Sequence, residues 1–265
     1  MIHPTAIIST TAKIASDVKV GAYAVIEDDV EIGTGSIIEP HAYLKSGAKI
    51  GENCKICSFA TIAGDPQDLH FDTSLKTFVK VGNGTVVREG ATIHRATVDG
   101  GTTIVGENCL LMANAHVAHD CVVGDRVIIA PFAALGGFAQ IGCDAFISGG
   151  VMIHQKLRVG EGTMLSGNGS FSNEVPPYVN AYMRNCVVGL NLIGLRRRKV
   201  PSAAVAELKK AYMAVYATEG SAWRAKAMAE LESGVYKTEE ALKFLRFFEP
   251  TGKRYLHPRK SGDED

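Results

Sequence analysis

From Ile2 onward every sixth residue is aliphatic: Ile2, Ile8, Ile14, Val20, Ile26, Ile32, Ile38, Leu44, Ile50, Ile56 and Ile62. The position four later in each hexad is small or slim, as at Ala6, Ala12, Val18, Ala24, Val30, Ser36, Ala42, Ala48, Cys54 and Ala60. The pattern resumes at Val81, Val87 and Ile93, misses at Asp99, and runs on from Val105 and Leu111 through Val117, Val123, Ile129, Leu135, Ile141, Ile147, Ile153, Val159, Leu165 and Phe171. A period of six matches neither an α-helix nor a βαβ unit, so each hexad reads as one short strand plus a turn. Three hexads close one triangular coil, with the aliphatic side chain inside the prism and the slim one near a corner. Stacked coils pair their backbones at about 4.8 Å, which satisfies hydrogen bonds that an isolated hexad could not make. The fold class is therefore mainly β, a parallel β-helix whose hand the repeat alone does not fix.

Two segments interrupt the repeat. Between Ala63 and Lys80 (AGDPQDLHFDTSLKTFVK) the aliphatic frame shifts by one, so a loop leaves the prism there. Around 98–103 (VDGGTT) the frame holds but Asp99 stands where an aliphatic residue belongs, which predicts a shorter outward loop. Loops carried on a rigid scaffold are where function concentrates. After Pro176-Pro177 the hexads stop, and Ala, Leu, Glu, Lys and Arg at helical spacing predict helices near 189–199, 202–217, 221–233 and 238–248. Pro201-Ser202 and Lys237-Thr238 supply starts, and GKRYLHPRKSGDED reads as a polar tail. The expected division is a β-helix over 1–186 and a helical domain over 187–265.

Composition removes several function classes. Lys+Arg and Asp+Glu are both 28, so no net field favours nucleic acid or an anionic membrane. No signal peptide and no apolar run of about 18 residues is present, which predicts a cytoplasmic chain without stable membrane insertion. Six cysteines at uneven spacing in 265 residues argue for reduced thiols. Cys54, Cys109 and Cys121 occupy the slim position and should be buried structural thiols. Many glycines follow the aliphatic position, where the corner is expected to need φ > 0, and none reads as a phosphate loop.

The segment NAHVAHDC, residues 114–121, carries the chemistry. His119 is the third residue of its hexad; one coil on lies Gly137 and another coil on lies Gln155, so the three form a column. His154 adjoins Gln155, and His116 precedes the corner that leads to His119. An imidazole can take a proton from a hydroxyl attacking a carbonyl, and Asp120 is placed in sequence to support it, although neighbours in an extended strand point apart. A glycine one coil away offers its N–H to an oxyanion. No serine or cysteine is placed as a nucleophile, so direct acyl transfer to a hydroxyl is the reading. Two other classes stand against it. A zinc hydratase of the γ-carbonic-anhydrase type needs three imidazoles at one metal, whereas His154 lies about 10 Å along the axis from the H-x-x-H pair. A purely structural hexapeptide protein would need neither the histidine strip nor the helices.

The run NAHVAHDCVVGD, with GDPQDL upstream, GGVMIHQ and VPPYV downstream, and NLIGLRRR opening the helices, resembles the UDP-N-acetylglucosamine O-acyltransferases that begin lipid A synthesis. The resemblance spans nearly the whole chain. It implies a left-handed β-helix, a homotrimer with sites between subunits, a 3-hydroxyacyl donor on acyl carrier protein, a UDP-sugar acceptor, and neither cofactor nor metal. It also implies that His119 is the general base, Asp120 its support and the Gly137 N–H the oxyanion donor. Gln67, Asp68, His116, His154 and Gln155 would line the substrate cleft, and Asn191, Arg197 and Arg198 would hold the nucleotide or the donor. Gly167, with Met164 beside it, corresponds to the acyl-chain ruler, and a glycine there leaves the groove open for a long chain. The cationic run Arg196-Arg197-Arg198-Lys199 suits an acidic carrier protein or a phosphate. The family pattern has a histidine where Phe138 stands, a lysine at His70 and a glutamate at Ile193. These three departures surround the acceptor, so a UDP-sugar with an amine at position 3 stays open as an alternative substrate. The related N-acyltransferase acting two steps later carries an extra N-terminal domain, whereas this repeat starts at Ile2.

Overall fold

The computed structural model describes residues 1–216 and 222–258. The hexads form a left-handed parallel β-helix. Among the described residues its three faces are sheets of nine, eight and eleven strands, in each of which nearly every strand pairs with the strand one coil away. The strands are only two to five residues long, so hydrogen bonding between coils, not strand length, holds them. Val117 pairs with Leu135 and Leu135 with Ile153, the 18-residue register that the sequence implies. The aliphatic stack is closed to water: Ile56, Ile62, Ile93, Leu111, Val117, Ile129 and Leu135 are fully buried.

The glycines after the aliphatic position serve a different purpose from the one expected. Positive φ falls two residues later, at Gly35, Asn53, Asp120 and Phe138 for example. The preceding glycines are required by close approach: a β-carbon on Gly33 would lie 2.7 Å from the Gly51 carbonyl carbon, and one on Gly136 2.6 Å from the Gln155 nitrogen.

Both outward loops leave the same edge of the prism, where the first face turns into the second. The longer one joins strand Thr61–Gly64 to strand Phe78–Val81, and the shorter joins Thr92–His94 to Thr102–Val105. In the ladder, Ile62 meets Ile93 and Ile93 meets Val117. The hexad around Asp99 is therefore the loop itself, wholly inserted, and the prism continues from Ile93 to Val105 beneath it. Arg95 organises the longer loop: its guanidinium donates to Asp65 Oδ1 at 2.8 Å, to the Leu75 carbonyl at 3.0 Å and to the Thr73 carbonyl at 3.2 Å.

The third face runs past the expected boundary. Strand Cys186–Leu190 pairs antiparallel with Val179–Tyr182, so residues 189 and 190 are strand, not helix. The helices are α1 (Leu192–Arg197), α2 (Ser202–Tyr216), α3 (Trp223–Glu232) and α4 (Glu239–Arg246). Leu208, Ala211, Val215, Ala227, Phe244, Leu245 and Phe248 form their core. The expected polar tail is corrected in its first half: Tyr255 and Leu256 are buried, and His257–Pro258 adds a parallel strand to Cys186–Leu190. The remainder of that tail, 259–265, lies outside the described residues. Arg158 clamps helices to prism by an ion pair with Glu174 and a bond to the Phe247 carbonyl at 3.0 Å.

Leu135 fills the prism beside the edge that carries the loops. Leu135→Ala is expected to lower unfolding free energy by about 2–5 kcal/mol, through lost apolar burial plus the cavity left in a scaffold that cannot collapse. Urea unfolding followed by circular dichroism checks this.

Candidate active site

His119 and Asp120 stand on the edge that carries both loops, between strands His116–Val117 and Val122–Val123. Asp120 is in the left-handed region at φ 60°, so the chain turns between the two residues and their side chains meet. His119 Nδ1 lies 2.8 Å from Asp120 Oδ2. Only 19% of the His119 side chain and 12% of that of Asp120 is exposed. Thr97, on the shorter loop, donates to the Asp120 carboxylate from its N–H at 3.1 and 3.2 Å and from its hydroxyl at 2.7 Å. The Asp120 N–H donates in turn to Thr103 Oγ1 at 2.7 Å. With a carboxylate on Nδ1, Nε2 is the nitrogen left to exchange a proton with a ligand.

Gly137 lies against this ring. A β-carbon there would fall 2.5 Å from His119 Cε1 and 2.6 Å from Nε2, so the imidazole stands where any other residue would project. Among the described residues the Gly137 N–H has no acceptor, which leaves a donor beside Nε2. Phe138 meets the His119 ring edge-on, with centroids 5.3 Å apart at 90°. Lys156, one coil further, holds its ammonium 5.8 Å from the Phe138 ring centre.

His116 bonds Thr92 Oγ1 through Nδ1 at 2.7 Å and meets the ring of His94 at a centroid distance of 4.8 Å. His94 is missing from the sequence-derived set. It is 7% exposed, its Nδ1 has no partner, and Gly64 makes room for its ring. Burial, then the charges of His116 and His119, hold its pKa down at about 4, and burial also lowers that of His116. Thr97 was likewise missed. The inserted loop breaks the 18-residue arithmetic between these residues and His116 and Asp120, so spacing carried no signal for either.

The remaining candidates divide among the edges. His154 and Gln155 are exposed on the His119 edge, and Gln67 and Asp68 are exposed on the longer loop. Asp68 accepts the His70 N–H at 2.9 Å; that bond first, with His119 contributing, lowers its pKa. Asn191, Arg197 and Arg198 belong to the edge between the second and third faces. The Asn191 amide caps α1 by accepting from the Gly194 N–H at 2.9 Å, and it donates to the Gly162 carbonyl at 3.0 Å. Arg198 lies 5.2 Å from the Tyr178 ring centre and 3.4 Å from Glu161 Oε1, whereas Arg197 is exposed. Met164 is on the third face and Gly167 at the edge beyond it, where a β-carbon would meet only the Gly149 carbonyl at 3.4 Å. One chain thus brings together His94, His116, His119, Asp120, Gly137, His154 and Gln155, and carries the arginines and Gly167 elsewhere. Cys54, Cys109 and Cys121 are buried, and desolvation pushes the Cys121 thiol up to about 12, which makes it inert. Among the described residues the side chains close enough to share a metal ion are Glu39, Cys57 and Glu89, away from the imidazoles. Glu39 is already paired with Lys55 and Glu89 with Arg88. Among the described residues no helix is long and apolar enough to cross a membrane.

Residues 174–256 match the family model described as UDP N-acetylglucosamine O-acyltransferase, domain 2, and 11–46 and 102–137 match the bacterial transferase hexapeptide model. The acyl-(acyl-carrier-protein)–UDP-N-acetylglucosamine O-acyltransferase of Thiobacillus denitrificans is 41% identical over 248 residues, covering 93% of this chain and 95% of that one. Its counterpart in Campylobacter concisus is 36% identical over 217 residues, covering 80% and 81%. The solved UDP-N-acetylglucosamine acyltransferase of Campylobacter jejuni superposes with a TM-score of 0.91 at 32% identity, covering 98% of this chain and all of that one.

His94 gives the fold a pH dependence of calculable sign. Between the ordinary histidine pKa near 6.5 and the folded value of about 4, the unfolded chain binds a proton that the folded chain does not, so stability falls as pH drops through that window. The loss from this residue approaches about 3 kcal/mol at most. His94→Phe should shrink the difference between urea midpoints at pH 7 and pH 4.5.

Proposed function

Because the chain belongs to the family of UDP-N-acetylglucosamine O-acyltransferases, we propose that it moves a 3-hydroxyacyl chain from acyl carrier protein to the 3-hydroxyl of UDP-N-acetylglucosamine, with His119 as general base. The observation that carries this reading is the His119–Asp120 pair seated against Gly137. In the reaction, His119 Nε2 takes the proton of the sugar hydroxyl as its oxygen attacks the thioester carbonyl. Asp120 stabilises the imidazolium, and the Gly137 N–H donates to the oxyanion. Collapse expels the carrier thiolate, which takes the proton back from His119. No covalent acyl-enzyme forms, and this would be the first step of lipid A synthesis, carried out in the cytoplasm.

Gln67, Asp68, His116, His154 and Gln155 act as the walls of the acceptor and acyl sites. Arg197, exposed at the opening of the helical domain, meets the acidic carrier protein or a phosphate, with Asn191 and Arg198 fixing the helix that presents it. Gly167 and Met164 measure the acyl chain. These groups occupy different edges of one prism, which supports a homotrimer in which the cleft at the His119 edge is completed by a neighbouring copy. The proposed division of labour is a β-helix, carried on through the strand Cys186–Leu190, that builds the cleft and a helical region, beginning with α1 at Leu192, that receives the donor.

The test is transfer from 3-hydroxyacyl carrier protein, read by mass spectrometry, with UDP-N-acetylglucosamine and its 3-amino analogue offered in parallel. Wild type is expected to acylate the hydroxyl sugar, and His119→Ala to lose at least about 1,000-fold in kcat/KM. Transfer to the amine alone moves the acceptor; transfer that survives His119→Ala removes the base. Gly167→Met is expected to shift donor preference toward shorter chains by plugging the groove, and unchanged preference across ten to sixteen carbons would take the ruler role from Gly167.

A further inference from the structure

We propose that Thr97, on the shorter outward loop, and Thr103, in the strand that follows it, are positioning residues that build the catalytic pair. The inference deepens the proposed function and rests on His119 being the base. Adjacent residues cannot pair along an extended strand, so the His119–Asp120 contact needs two things: a left-handed turn at Asp120, and a carboxylate rotated onto the ring. Thr103 serves the first. Its fully buried hydroxyl accepts the Asp120 N–H at 2.7 Å, tying down the backbone of the residue at φ 60°. Thr97 serves the second, since its N–H and hydroxyl grip the carboxylate while Oδ2 also faces His119 Nδ1. The six residues inserted after the strand Thr92–His94 thus return the chain around Asp120.

The shorter loop is also sewn to the longer one. Lys76 N–H donates to Asp99 Oδ1 at 3.0 Å, Gly100 N–H to the Lys76 carbonyl at 2.8 Å, and Phe78 N–H to the Gly101 carbonyl at 2.9 Å. The loop that carries Gln67 and Asp68 therefore bears on the one that orients Asp120.

Thr97→Val removes the hydroxyl donor at nearly constant volume. The carboxylate then loses one of the donors that hold it against the His119 ring. The charged or titratable groups facing the pair are Asp68 on the longer loop, His116 and His94 on the first face, and the Cys121 thiol; none is altered by the substitution. The experiment measures kcat and KM separately for wild type, Thr97→Val, Thr97→Ser, Thr103→Val and His119→Ala. In Thr97→Val, kcat should fall on the order of ten-fold with KM little changed. Thr97→Ser should recover most of the loss, and Thr103→Val should fall in the same direction as Thr97→Val. A folded Thr97→Val with wild-type kcat overturns the proposal, as does a Thr97→Ser as impaired as Thr97→Val. Activity surviving in His119→Ala instead overturns the base on which the proposal rests, and the two failures are distinguishable.

Discussion

The ladder of hydrogen bonds between coils is the constraint on which everything else depends. His116 N–H donates to the Ala133 carbonyl at 2.9 Å, Ala118 to Leu135 at 3.1 Å, and Gly136 to Ile153 at 2.8 Å. A slip of one residue would turn each buried aliphatic side chain to solvent, so the apolar stack locks the register and the ladder satisfies it. Gly137 then has no freedom but to lie against His119. The geometry of the candidate site is a consequence of register, with very little local structure of its own.

What was legible in the sequence follows from the same fact. The column His119, Gly137, Gln155 could be counted out because no insertion interrupts the chain between Val117 and Ile153. His94 and Thr97 could not, because His94 precedes the shorter loop and Thr97 lies on it, so the insertion offsets both from His116 and Asp120. Chemistry points to Asp120 but extended-strand geometry does not, because its left-handed turn is something a hexad pattern does not encode for an aspartate. Glycines after the aliphatic positions were ascribed to turns; they are demanded by backbone crowding, which spacing cannot distinguish from a conformational need. Tyr255 and Leu256 were lost in a polar stretch because two buried residues make no period.

The site also shows how unevenly a repeat scaffold distributes its tasks. Most coils are interchangeable in their interiors, and chemistry is confined to corners and to two insertions at one edge. His94 is the exception within the prism wall: a buried imidazole whose Nδ1 has no partner and whose pKa is held down by burial. Such a residue weakens the fold locally, and it does so beside His116, at the edge of the candidate site.

A stack of parallel coils presents an unpaired backbone at each end, a template on which a second stack could grow into a fibre. At the C-terminal end the chain reverses, and Cys186–Leu190 runs antiparallel to Val179–Tyr182. The strand laid outside it, His257–Pro258, is two residues long and leads back from the helices. A stack arriving from outside would meet a reversed strand and a two-residue edge, so the same hairpin that ends the repeat also makes this end a poor template for further coils.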